Sequence, residues 1–285
     1  MRNIKTFMLM GGLVLIFMYV GNLIGGVQGM KFAFLMSLGI NFFSYFFSDK
    51  LVLRHYNAQE VNQNTSPKLY KIVEKLATAA NMPMPKVYIV PDNVPNAFAT
   101  GRNPKNAAVA ATQGLLNILD DEEIEGVLAH EMSHVKHYDI LISSIAAIFA
   151  SAIGILSNMA RYNTSARNSN NNRSNGLFML IAIILMPIAA TIIRLSVSRT
   201  REYKADEGAA LLTKHPEWLA SALQKLEQYA SSAQLQKANS QTAHMFIINP
   251  FKGEKADFSS MFSTHPSTKE RIERLRYLHQ KINNL

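Results

Sequence analysis

The stretch Leu119–Asp139, LDDEEIEGVLAHEMSHVKHYD, decides how the chain is read. It contains His130, Glu131 and His134 in the pattern H-E-x-x-H. Residues four apart share a helix face, one turn above the other, so two imidazoles so spaced can hold one metal ion together. Glu131 lies one step round from His130 and is the residue type that can take a proton from a water at that ion. Asp120 and Asp121 suit the start of a helix, and Glu122 and Glu123 suit its positive end. Ile124, Val127, Leu128 and Val135 recur at helical spacing, so the segment predicts an amphipathic helix. A plain core helix fits less well, because a glutamate between two histidines is costly to bury without a partner.

Composition sets the surroundings. Of 285 residues, 48% are hydrophobic and 17% charged, whereas a soluble domain is about 25% charged. The apolar excess comes in runs of the kind that cross a bilayer. The chain has no cysteine, which excludes disulfides and thiolate metal sites and fits a reducing compartment. Any metal must therefore be held by histidine and carboxylate. The net charge of +9 is explained by basic residues flanking membrane spans on one side, without invoking nucleic acid.

Four apolar runs stand out: Thr6 to Gly26, Phe32 to Phe47, Ile140 to Ala160, and Leu177 to Ile193 with a kink expected at Pro187. A secretory signal fits the first run poorly, since no small-residue cleavage site follows it. The runs pair into two transmembrane hairpins, the third span continuing directly from the metal helix. Residues 161–176 between spans three and four are rich in Asn, Ser and Arg and read as a solvated loop. Arg2 and Lys5, Lys50 and Arg54, and the set Arg194, Arg199, Arg201 and Lys204 all fall on one side of four spans. They outweigh Arg161, Arg167 and Arg173 opposite, so that side is expected to be the cytoplasm.

The expected organisation is an N-terminal hairpin (1–48), a first part of a catalytic domain (49–139), a second hairpin (140–193) and a second part of that domain (194–285). The fold class is a mainly α membrane protein carrying a small α+β zincin-like domain. Within it, Ser66 to Ala80 predicts an amphipathic helix, and Lys86 to Val90, Asn96 to Thr100 and Ala107 to Thr112 predict three short strands. An edge strand beside a metal helix can pair with an extended substrate backbone, or the strands can serve only to pack the helix.

A catalytic zinc site needs three protein ligands and one open position. One class of protease uses H-E-x-x-H-x-x-G-x-x-H. This chain has His137 where that pattern needs Gly and Ile140 where it needs His, so His137 reads as a surface residue. The other solution is a glutamate on a separate helix, as in gluzincins. Glu202, just past span four in SRTREYKADEGA, is the best candidate. If spans three and four form a hairpin, Glu202 and the histidines emerge on the same face at similar heights. Asp206, one turn on, would suit an acceptor for the spare N–H of a ligating imidazole. From the residues alone, His265 ahead of Pro266 reads as a helix-start residue.

With these residues in view, the chain resembles the HtpX family of bacterial membrane zinc proteases linked to heat shock, and more distantly the CaaX prenyl proteases. The resemblance spans the whole chain: first hairpin, the NAFATG strand from Asn96, the H-E-x-x-H motif, second hairpin, Glu202-x-x-x-Asp206, and His265-Pro266 with Arg271. It implies one zinc ion held by His130, His134 and Glu202, with Glu131 catalytic. It also implies that His265, Arg271 and Asn96 lie near the substrate or its oxyanion. The implied activity is ATP-independent cleavage of misfolded or damaged membrane proteins. Two alternatives remain: a non-catalytic, zinc-stabilised membrane chaperone or adaptor, and an intramembrane metalloprotease. The charged lead-in Asp120 to Glu125 argues against the second, because such residues are costly in hydrocarbon.

Overall fold

The computed structural model describes residues 4–146, 198–232 and 266–283. The second pair of predicted spans, apart from residues 140–146, and the 161–176 loop lie outside the described residues. Helix α1 (Ile4–His55) is broken at Gly25 and Gly26, where Gly26 takes a left-handed φ of 58°. A side chain there would be strained, so glycine is what lets the chain reverse. The two arms run back along each other. Gly21 and Gly29 leave no room for a Cβ between them, and the Asn41 side-chain amide donates to the Met10 carbonyl at 3.4 Å. Thr6–Leu23 and Gly25–His55 are both long and apolar enough to cross a bilayer. Phe7, Leu15, Leu35 and Phe42 are exposed along them, as lipid-facing side chains would be.

The second arm does not stop at Phe47. It continues to His55, and Val52 and Leu53 on its last turns pack with Val90, Phe98, Ala108 and Ala110. These belong to a four-stranded sheet of β1 (Gln59–Val61), β2 (Lys86–Val90), β3 (Ala97–Gly101) and β4 (Ala107–Thr112), in spatial order β1-β2-β4-β3. The β2–β4 pair is parallel and the two outer pairs are antiparallel. Successive side chains of a strand face opposite sides. Accordingly Ala108 and Ala110 meet the end of α1, while Ala107, Val109 and Ala111 meet the main core. The sheet thus lies between the membrane hairpin and the helices of the site.

On that second face sit α2 (Pro67–Ala80), the short α3 (Gln113–Ile118) and the metal helix α4 (Asp121–His137). They share one core with α6 (Pro216–Ser232) and α7 (Thr268–Asn283), through residues such as Val73, Leu76, Leu128, Leu223 and Leu275. α4 opens with a capping box: Asp120 accepts from the Glu123 N–H at 2.9 Å, and Glu123 accepts from the Asp120 N–H at 3.0 Å. Glu123 is also bound by Lys225 and Ser221 of α6, each at 2.6 Å.

The metal helix does not continue into the third span, as the apolar run had implied. It ends at His137, Tyr138 takes a left-handed φ of 65°, and the Tyr138 and Asp139 N–H groups close the last turn on Val135 and His134. A new helix starts at residue 140. Its first turns pack on the hairpin through Leu141 and Ile145 against Leu13. β1 and α3 are also additions to the predicted elements.

α4 crosses α6 at Gly126, where a Cβ would come within 2.7 Å of the Leu219 backbone nitrogen. Helix propensity alone would make Gly126→Ala stabilising by about 1 kcal/mol, but overlap with immovable backbone costs about 1–3 kcal/mol. The expected outcome is a lower Tm of the detergent-solubilised chain in a thermal melt; a raised Tm would contradict this crossing.

Candidate metal centre

Three donor atoms from two helices converge. His130 and His134 come from one face of α4, and Glu202 from α5 (Arg199–Thr213). The Nε2 atoms of the two imidazoles are 3.3 Å apart. Glu202 Oε2 is 3.7 Å from His130 Nε2, and Glu202 Oε1 is 3.6 Å from His134 Nε2. Among the described residues this is the group of three that could share one ion. The distances test the fit. Nitrogen and oxygen ligands about 2.1 Å from a tetrahedral zinc ion lie about 3.4 Å from one another, close to all three separations here. Three protein donors leave one tetrahedral position for water or substrate.

The helices approach closely because their contact is lined by small residues. Ala205, Ala209 and Ala210 of α5 are buried, and a Cβ on Gly208 would overlap Ser133 of α4. Glu202 and Asp206 lie one turn apart and are both buried. Asp206 Oδ1 meets His130 Nδ1 at 2.9 Å. Behind it, Arg271 of α7 donates to both Asp206 oxygens, Nε to Oδ2 at 3.0 Å and Nη2 to Oδ1 at 2.7 Å. Its guanidinium is 1% exposed. Arg271 therefore lies across the His130 ring from the donor triangle, spent on Asp206.

These neighbours set the electrostatics. Burial pushes the Asp206 carboxyl up, but Arg271 and His130 outweigh it and hold it below the usual carboxylate range. Burial likewise opposes a charged His130, yet hydrogen bonds to Asp206 and Glu202 prevail and push the imidazole up to about 9. A pocket that favours a proton so strongly favours a metal cation in the same place.

Glu131 is buried on the same helix, and its Oε2 accepts from the backbone N–H of Ala99 in β3 at 3.0 Å. The carboxylate of the motif is thus tied to the end strand of the sheet. Asn96, just before β3, exchanges hydrogen bonds with Thr112, its N–H to the threonine Oγ1 at 2.8 Å and its carbonyl from the Thr112 N–H at 2.8 Å. It is buried, and its Oδ1 has no hydrogen-bond partner among the described residues. His137 is exposed. His265 lies outside the described residues. One residue was missed by sequence reasoning: Asp139, whose Oδ2 lies 3.4 Å from His134 Nδ1 and whose Oδ1 is 3.5 Å from Arg201. The signal for it was available, an acid immediately after the metal helix, but it sat at the head of an apolar run.

Because the His130 proton is held below about pH 9 and lost above it, metal uptake must displace it at lower pH. Zinc binding to chelator-treated protein at pH 7.5 is expected to release about one proton, with affinity rising toward pH 9, and both the release and the rise fading above it. Calorimetry in buffers of different ionisation enthalpy measures this; proton-neutral binding at pH 7.5 would contradict it.

Comparison with known proteins agrees with this geometry. The model of peptidase family M48 matches residues 63–279. A protease HtpX homolog of Campylobacter hominis is 63% identical over 282 residues, covering 99% of this chain and 100% of that one. Its counterpart in Campylobacter curvus is 58% identical over the full length of both chains. That of Sulfurovum sp. is 52% identical over 98% of this chain and 100% of its own. The crystal structure of S. mikatae Ste24p shares the fold, with a TM-score of 0.50 at 21% identity, over 95% of this chain and 64% of that longer one. With His130, His134 and Glu202 as its metal site, the chain belongs to peptidase family M48 and is a zinc metalloprotease of the HtpX type.

Proposed function

We propose that the chain is a multi-pass endopeptidase of the bacterial inner membrane that hydrolyses misfolded or damaged membrane proteins on the cytoplasmic side, without ATP. The observation that carries this reading is the pairing of a three-donor metal site with a fourth carboxylate, Glu131, anchored to β3. The second support is position. The sheet that bears β3 packs directly on the end of a hairpin long enough to span a bilayer, so a polypeptide emerging from the membrane is close at hand. The proposed architecture has four spans in two hairpins, with a gluzincin-type α+β domain split by the second. Basic residues at the domain end of the hairpin, Lys50 and Arg54, support a cytoplasmic site.

The bound zinc ion, one per chain, would supply Lewis acidity and lower the pKa of its water. The rest falls to the chain. Glu131 accepts the proton of the attacking water and delivers it to the departing amine. The Ala99 N–H holds the second oxygen of Glu131, which fixes the direction in which the carboxylate faces. Asp206 keeps the His130 ring oriented with Nε2 toward the ion, and Arg271 in turn keeps Asp206 ionised and in place. Asn96, with a buried and unpartnered Oδ1, and His265 are proposed as substrate-side groups, Asn96 accepting a donor from the peptide.

Glu131→Gln is expected to keep stoichiometric zinc and lose casein cleavage by at least a hundredfold; undiminished turnover would remove Glu131 from its role. His130→Ala and Glu202→Ala should each lose zinc on metal analysis. Asp206→Ala should weaken zinc binding about 10–100-fold while leaving all three ligands in place. Arg271→Ala leaves Asp206 buried without its cation, which costs about 3–5 kcal/mol; a melt unchanged by that substitution would contradict the buried pair.

A further inference from the structure

Beyond the metal centre, the hairpin carries a second feature where it leaves the apolar zone. Phe43, Phe47, Lys50 and Arg54 fall on one stripe of α1, at successive steps of four, three and four residues. The first two rings are exposed and stacked on each other, with centroids 5.6 Å apart. The Lys50 ammonium lies 5.6 Å from the centre of the Phe47 ring. Below it opens a cavity of about 490 Å³ between the end of α1 and β2, lined by Asp49, Lys50, Leu53, Arg54, Lys86 and Tyr88 among others. Lys86 is committed to Glu60 at 3.0 Å. Among the described residues, Lys50 and Arg54 pair with no carboxylate, although Asp49 is a neighbour in the lining.

The depth of this cavity follows from its surroundings. Above it, from Phe32 to Phe47, the second arm exposes only apolar residues, including Phe42, Phe43, Phe46 and Phe47. Beside it, in the turn after β3, the Arg102 guanidinium caps the Phe46 ring at 5.1 Å. Aromatic rings followed at once by cations mark the level of lipid headgroups. Lys50 is about 4.5 Å further along the helix than Phe47, and Arg54 about 10.5 Å. A phosphate between the two cations would therefore leave an attached acyl chain to run back over Phe47 and Phe43. The carbonyl end of α1 carries partial negative charge, so an anion there is held by the side chains alone.

We propose that this cavity binds the phosphate headgroup of an anionic phospholipid, with Lys50 and Arg54 as the cationic ligands and the Phe43–Phe47 stripe as the seat of an acyl chain. The proposal goes beyond peptide hydrolysis and rests on the hairpin lying in a bilayer. Free phosphate has the same headgroup chemistry. The aromatic stripe favours the lipid, which is the ligand assigned here. A bound lipid would cement the sheet to the hairpin, since the same cavity is walled by β2.

The test uses the full-length, zinc-loaded protein in a mild detergent, with phosphatidylglycerol retention read by native mass spectrometry and Tm read in parallel. The wild type is expected to retain phosphatidylglycerol over phosphatidylcholine and to melt at a higher temperature with it. Inorganic phosphate at millimolar concentration should do neither. Each cation near a membrane surface contributes about a fivefold factor. Lys50→Gln and Arg54→Gln should therefore each weaken retention about fivefold, and the double variant about thirtyfold, with Tm in lipid-free detergent unchanged. Both side chains are exposed, so folding should not depend on them, and the single variants serve if the double one fails. Lys50→Arg should keep retention. Equal retention by wild type and double variant, equal binding of phosphatidylcholine, or a Tm gain reproduced by inorganic phosphate would each overturn the assignment.

Discussion

Everything at the site depends on how closely α5 can lie against α4. Two imidazoles on one helix make half a metal site; the other half must come from a carboxylate held within about 4 Å of both. Helices with ordinary side chains at their contact pack about 8–10 Å apart. Here Gly208 removes that bulk on α5 where it meets Ser133 of α4, and the neighbouring Ala205 and Ala209 are small and buried. The approach brings Glu202 and Asp206 to the two nitrogens of one histidine ring, Nε2 and Nδ1. One face of one short helix therefore supplies both a metal ligand and the group that orients another ligand.

The buried charges are arranged to make this tolerable. Burying an isolated carboxylate is expensive. Glu202 and Asp206 are both nearly inaccessible, and Asp206 is met by a guanidinium with two hydrogen bonds and by an imidazole. Arg271 arrives from α7, at the far end of the chain, so the metal site ties together segments more than a hundred residues apart. The other carboxylate of the helix, Glu131, is held from the opposite direction by the sheet. The sheet is held in turn by the end of α1, so a mechanical path runs from the membrane hairpin to the proposed proton-transferring group.

Much of this was legible in the sequence because spacing carries it. The histidine pair, the Asp120 cap, the helix from Ser66 and three of the four strands all announce themselves through local pattern. Glu202 was reachable only through topology, by asking which carboxylate a returning hairpin would deliver beside the histidines. What escaped did so for physical reasons. β1 is three largely exposed residues with no apolar alternation, and α3 is too short to show a period. The break after His137 is made by a tyrosine in the left-handed region, where glycine or asparagine would have been the signal. The change to polar residues at Asp49 ends the apolar run, while the helix itself goes on for two more turns to dock on the sheet. Apolarity reports the solvent, and only periodicity reports the helix.

The central claim is that His130, His134 and Glu202 bind one ion and leave one position open. Zinc-edge X-ray absorption on the purified full-length protein addresses it most directly. The account predicts four light-atom ligands at about 2.0–2.1 Å, with multiple-scattering features of two imidazoles and the remainder oxygen. A shell of one or three imidazoles, or a six-coordinate ion, would contradict it.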